Sequence, residues 1–214
     1  MKSSTRIFSL LIIFLLCINL LNAEEEEETK QVMITRGLQS VEIKHNGKPI
    51  KIMREQNREN KIVPFYQKTT RGTIQAMHPF KPHKVETLGE REVIDYLKKM
   101  SDGDKSILVI DSRTPAWIKL SGMIPGAINI PFRLFKNTEE TMEIMEDKFD
   151  VIAGETFDFS NAKTIVMYCN GNWCGQSPTA IRKLLMMGYP AAKIKFYRGG
   201  MQSWVSLGLT VVEP

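Results

Sequence analysis

Short apolar runs alternate with amphipathic stretches along the second half of this chain, and that alternation restricts the fold more than any other feature. "SILVID" (residues 106–111) and "TIVMY" (164–168) are continuously apolar over strand length, "GAINIPF" (126–132) is a further short run, and "KIKFY" (193–197) follows. Continuous runs of this kind suit parallel strands buried on both faces. Between them lie helical patterns. "TLGEREVIDYLKKM" opens on a capping box from Thr87 to Glu90 and sets Val93, Ile94 and Leu97 on one face. "TEETMEIMEDKFDVI" spaces Met142, Met145, Phe149 and Ile152 at helical intervals, a stripe read as core, and "SPTAIRKLLMMGY" is a third helix. Strands alternating with helices predict an α/β fold: a mostly parallel sheet covered by helices on both faces.

The first part of the chain differs. "MKSSTRIFSLLIIFLLCINLLNA" has Lys2 and Arg6, an apolar stretch Ile7 to Leu16, and a small-residue end at Ala23. This is the pattern of a cleaved secretory leader, with an apolar core too short for a comfortable membrane span. Leu16 stands before Cys17 where lipidation wants a small residue, so no lipid anchor is expected. Cleavage leaves 29 − 2 = 27 basic against 24 acidic residues. That near-balance implies neither nucleic-acid binding nor stable membrane insertion after processing. The expected organisation is a leader at 1–23, a small β-rich extension at 24–84, and the α/β domain at 85–214. Within the extension, Glu24 to Glu28 reads as a solvated terminus. "SVEIKHNGKPIKI" reads as a hairpin turning at Asn46-Gly47, with Val41 opposite Ile52, Ile43 opposite Ile50, and Glu42 opposite Lys51. The proline-punctuated stretch 60–83 is expected to be an extended, wrapping connection, and His78 and His83 in it to be loop residues without metal.

The chemistry concentrates in "YCNGNWCGQSP", residues 168–178. Loss of the leader removes Cys17, so the mature chain keeps Cys169 and Cys174 in one loop. A disulfide closing so short a loop would add little stability, which points to a chemical role for the pair. Cys169 falls at the carboxyl end of a strand, where sites gather in such sheets. Ser177 reads as the N-cap and Pro178 as the first residue of the next helix, whose amides and dipole favour an anion and lower a thiol pKa. Gly171 and Gly175 are expected to let the loop curl so that N–H groups converge on the sulfur. Asn170, Asn172, Trp173, Cys174, Gln176 and Ser177 complete the candidate substrate-binding loop, with Trp173 as a partly buried lid.

Three segments, "VIDSRTPAWIKLSGMIPGAINIPF", "VMYCNGNWCGQSPTAIRKLLMMGY" and "FYRGGMQSWVSLGLTVV", resemble in order and spacing a rhodanese-like sulfurtransferase domain over about residues 85–214. The resemblance implies a rhodanese-like sheet and a catalytic role for Cys169, which would accept sulfane sulfur as a persulfide and pass it to a thiophilic acceptor. It implies that Asp111 orders the site backbone, that Arg113 stands near the substrate entrance, and that Gly199, Gly200 and Trp204 form a structural closing motif. It implies no metal or organic cofactor, and as partners a small sulfur-containing donor and an acceptor, a partner-protein thiol among the candidates. Met123 replaces a histidine common in relatives and is taken as structural. The loop after Cys169 is longer than usual, yet Gly175 stands where phosphatases of this fold carry the arginine of C-x5-R, which argues against phosphoryl chemistry.

The leading reading is therefore an exported sulfurtransferase, periplasmic or secreted. The alternatives are a thiol–disulfide or persulfide redox protein in which Cys174 resolves Cys169, and a noncatalytic rhodanese-like binding module. Export has a direct check: amino-terminal sequencing of secreted material should begin at or near Glu24, and intact Met1 in the membrane fraction would overturn it.

Overall fold

A computed structural model describes residues 31–57, 59–68 and 72–213. The expected leader at 1–23, with Cys17, and the acidic run Glu24–Glu28 lie outside the described residues. The hairpin forms as expected. Strands β1 (Ser40–His45) and β2 (Lys48–Met53) pair antiparallel, with Val41 opposite Ile52 and Ile43 opposite Ile50. Asn46 and Gly47 take φ of 48° and 76°, the left-handed pair a primed turn needs. The connection after it is not wholly extended, because Pro64–Gln67 forms a single helical turn, α1, that buries Tyr66.

The α/β part then runs β3 (Glu86–Leu88), α2 (Glu90–Ser101), β4 (Ile107–Asp111), α3 (Pro115–Ser121), β5 (Ile128–Asn129), α4 (Thr138–Phe149), β6 (Thr164–Tyr168), α5 (Gln176–Met186), β7 (Ile194–Tyr197) and α6 (Gly200–Ser206). The strands form one parallel sheet in the order β3-β7-β6-β4-β5.

Strand side chains alternate between two cores, as the period of two demands. Val109, Val166, Tyr168 and Tyr197 face α2, α3 and α6 through Leu97, Ile118 and Trp204. Ile110, Ile165, Met167 and Phe196 face α4 and α5 through Met145, Phe149, Ile181 and Leu184. Neither strand face is left to water, which is why the apolar runs are continuous. Ile43, Ile52 and Tyr66 of the extension belong to the first of these cores, and the Gly126 amide donates to His45 Nδ1 at 3.1 Å. The hairpin is thus packed onto the sheet's helical cover.

Several local expectations need correction. Helix α2 starts later than a capping box at Thr87 implies. Gly89 is its N-cap, and Glu92 accepts from the Gly89 amide at 3.0 Å. Thr87 belongs to β3, where its hydroxyl donates to the Met77 carbonyl, because edge pairing with β7 holds the residue extended. The "GAINIPF" strand shrinks to Ile128–Asn129. Helix α4 ends at Asp150, in the left-handed conformation with φ 55°, so Ile152 lies off the helical stripe and is exposed.

Candidate functional site: a buried pair of thiols

The parallel register sets Asp111, at the end of β4, beside Tyr168, at the end of β6. Cys169 follows Tyr168 directly, so the carboxyl ends of two central strands deliver the acid and the thiol to the same edge. Both cysteines are free and buried. Cys169 is 1% exposed and its Sγ lies 3.5 Å from the Cys174 carbonyl oxygen. The Cys174 amide donates to the Gly171 carbonyl at 2.9 Å, which closes the loop into a turn and brings the second sulfur back toward the first.

The carboxyl side of the loop enters α5 differently from expectation. Gly175 is the N-cap, with φ −89° and no side-chain cap; Gln176 and Ser177 are the first two helical residues, and Pro178 the third. Ser177 is therefore buried in the first turn beneath Cys169. Its hydroxyl has no hydrogen-bond partner among the described residues. The Ser177 amide in the first turn, and its hydroxyl, otherwise unpartnered, both favour the Cys169 thiolate over the thiol. Burial opposes them and wins. Desolvation, and then the neighbouring Cys174, push the Cys169 thiol well above its ordinary pKa.

The lowered group is Cys174. The neighbouring Cys169 thiol outweighs burial and, with the Gln176 and Asn170 amides, brings it to about 7. The two sulfurs titrate as a pair, losing one proton readily and the second with difficulty.

Arg113 is also corrected. It is fully buried and stands at no entrance. Nε donates to Asp111 Oδ1 at 2.9 Å and Nη2 to Asp111 Oδ2 at 2.6 Å, a bidentate pair. Nη2 also donates to the Gly122 carbonyl at 2.6 Å, and Nη1 to Ser121 Oγ at 2.8 Å and Tyr66 Oη at 3.2 Å. Every guanidinium N–H thus has an acceptor. Burial disfavours this charge, but Asp111 more than restores it and holds the pKa above its usual value. Asp111 also accepts from the Arg113 amide at 3.0 Å, so it orders local backbone as the sequence suggested.

The other loop residues divide into two groups. Asn170 is buried between Tyr66, whose Oη donates to its Oδ1 at 2.7 Å, and Cys174, whose Sγ lies 4.0 Å from its Nδ2. Asn172, Trp173 and Gln176 are half-buried. Asn172 accepts from the Gln75 amide through its carbonyl at 2.8 Å. Trp173 donates to Gln202 Oε1 at 2.9 Å and meets the Phe65 ring edge-on at 5.8 Å, while Phe65 lies 4.3 Å from Trp117. Trp173 is thus part of a cover, shared with α1. Gln202 ties the other side of that cover, donating to the Tyr66 and Lys68 carbonyls. Sequence reasoning misses Tyr66, Phe65 and Gln202. An aromatic pair directly after Pro64, in an otherwise polar stretch, is the available signal.

The closing motif presses on the loop from behind. Gly200 has φ +56°, and a Cβ there would strike the Cys169 carbonyl oxygen and stand 2.8 Å from the Gly171 nitrogen. The next two amides, Met201 and Gln202, donate to the Cys169 and Asn170 carbonyls at 3.0 and 2.9 Å. Gly175, by contrast, has space for a side chain and ordinary φ, so the loop's curl does not depend on it.

The rhodanese-like domain family matches residues 93–207, and the chain belongs to that family. None of the curated proteins matches the sequence. Among solved structures, the chain is similar to a protein of unknown function from Rhodopseudomonas palustris, described as a possible tyrosine phosphatase, at 20% identity over 60% of this chain and 85% of that one (TM-score 0.42). It is similar to a thiosulfate sulfurtransferase from Pseudomonas aeruginosa at 17% identity, over 60% of this chain and 20% of that one (TM-score 0.42). A 3-mercaptopyruvate sulfotransferase from Escherichia coli shares 20% identity over 56% of this chain and 43% of its own (TM-score 0.37).

The contrast between the two glycines is testable by denaturant unfolding. Gly200→Ala should cost more than about 1 kcal/mol, since the new Cβ meets backbone and the left-handed φ disfavours it. Gly175→Ala should stay within about 0.5 kcal/mol of the parent. Equal midpoints for the two variants would contradict the close approach at Gly200.

Proposed function

We propose that this chain is an exported sulfurtransferase that carries sulfane sulfur as a persulfide on Cys169. Family membership supports a sulfurtransferase-type role. The observation that carries the finer reading is the placement of Cys169: at the carboxyl end of β6, against the first turn of α5, with its Sγ 3.5 Å from the carbonyl oxygen of Cys174, the second thiol of the same loop.

In the loading step Cys174, as thiolate, takes the Cys169 proton. The Cys169 thiolate then attacks the outer sulfur of a donor such as thiosulfate. A bond forms from Cys169 Sγ to that sulfur, the donor's sulfur–sulfur bond breaks, and sulfite departs with the electron pair. The Ser177 amide and hydroxyl stabilise negative charge as it reaches Cys169. In the unloading step an acceptor nucleophile attacks the outer sulfur, and Cys169 leaves as thiolate. Since both sulfurs are buried, donor and acceptor enter only when the Phe65–Trp173 cover shifts. Phosphoryl transfer is not favoured, because Gly175 offers no cation and the Arg113 guanidinium is fully engaged elsewhere.

Cys169→Ser should abolish thiocyanate formation from thiosulfate and cyanide while changing the melting temperature little, because the lost group belongs to the chemistry. Wild-type turnover in that variant would show that Cys169 is not the nucleophile.

A second reading draws on the same geometry. Attack by the Cys174 thiolate on the inner sulfur of the Cys169 persulfide would form a Cys169–Cys174 disulfide and expel hydrosulfide. The site would then be gated by redox state. Mild oxidation should inactivate the wild type, with recovery in dithiothreitol. Cys174→Ser should load more slowly at neutral pH yet resist that inactivation. If peptide mapping finds no 169–174 disulfide in the oxidised wild type, the gate does not exist.

A further inference from the structure

Around the thiol pair, every hydrogen bond from Arg113 outward runs in one direction. Arg113 has only donors, and its Nη1 gives one hydrogen to Tyr66 Oη at 3.2 Å and one to Ser121 Oγ at 2.8 Å. Ser121 Oγ uses its own hydrogen on the Trp117 carbonyl at 2.9 Å. The Tyr66 hydroxyl, its lone pair facing the guanidinium, therefore gives its single hydrogen to Asn170 Oδ1 at 2.7 Å. With Oδ1 so engaged, the carboxamide can present only its Nδ2 end to Cys174 Sγ, 4.0 Å away. A donor facing sulfur favours thiolate over thiol. The donor direction set by Arg113 is thus passed, one polar group at a time, to the second sulfur of the loop.

Tyr66 lies outside the residues matched by the family, on α1 of the extension, and is 1% exposed. We infer that Tyr66 is a positioning residue supplied by the extension: it fixes the Asn170 carboxamide with an N–H aimed at Cys174, and so favours the thiolate form of that sulfur. This gives residues 59–68 a task in the chemistry beyond covering the loop. It rests on the proposed function only in making Cys174 the base for Cys169. The ionisable groups linked to Cys174 are Cys169, Tyr66, Arg113 and Asp111; Asp111 is paired to Arg113 and presents no free charge to the sulfurs.

The test follows the two thiols separately, by the NMR shifts of isotope-labelled cysteine Cβ atoms across a pH series, in the reduced full-length chain. In the wild type Cys174 should titrate first, near 7. Tyr66→Phe should raise that midpoint by about one pH unit, the scale of one lost hydrogen bond to a charged group. Asn170→Ala should raise it similarly, and the double variant should go no further, since the two residues act in series. Trp117→Leu, whose ring meets Phe65 and not the relay's side chains, should leave the midpoint in place. An unchanged midpoint in Tyr66→Phe, additive shifts, or Cys169 titrating first in the wild type would each overturn the inference. Should Tyr66→Phe fail to fold, Asn170→Ala decides alone by the same criterion. Because the readout needs no sulfur donor, a protein that titrates as stated but transfers no sulfur would sink the proposed function and leave this inference standing.

Discussion

A guanidinium buried away from water must find five acceptors or unfold its surroundings, and Arg113 finds them on three separate pieces of chain. Asp111 sits at the end of β4, Ser121 and Gly122 at the end of α3, and Tyr66 on the extension. Removing Asp111 would strand a buried charge, a penalty of about 3–5 kcal/mol. The pair is not a large source of net stability, since the desolvation of both ions offsets much of their attraction. Its consequence is specificity. Satisfying the guanidinium in this way requires all three segments in place, so the end of β4, the turn after α3 and α1 are held together beside the cysteine loop.

The loop itself is fixed between two surfaces. On one side Tyr66 engages Asn170; on the other, the amides of Met201 and Gln202 take the carbonyls of Cys169 and Asn170. Such a clamp needs backbone-to-backbone approach, which is why Gly200 has no side chain and a left-handed φ. The result is a loop whose curvature comes from neighbours in space more than from its own glycines. Gly175 illustrates this: it adopts an ordinary conformation with open space around it.

The parts legible in the sequence are those whose cause is local. Asn46-Gly47 announces its turn because the positive φ values are intrinsic to those residues. The strands β4 and β6 are legible because burial on both faces leaves an unbroken apolar run, and the face of α2 because Val93, Ile94 and Leu97 recur at helical spacing. What escapes depends on contacts between distant positions. Tyr66 lies 104 residues from Asn170, in a stretch with no period to mark it. The resemblance places Arg113 near the substrate entrance; its complete burial depends on acceptors assembled from distant segments, which the sequence does not show. For the Cys169 thiol, the helix terminus it faces is a local influence visible in the sequence. Burial by the whole fold is not visible there, and it is the stronger of the two.

That last difference changes how two thiols in one loop should be understood. A lone buried cysteine would stay protonated near neutral pH and react slowly, however well a helix terminus faced it. A second thiol in the same loop, facing the Asn170 carboxamide that Tyr66 holds in place, is the group better suited to carry negative charge within the buried site. In the proposed transfer that charge would rest on Cys174 until a donor arrives and pass to Cys169 as the proton crosses between them. Protection from solvent and readiness to react, which oppose each other at a single sulfur, are thereby divided between two.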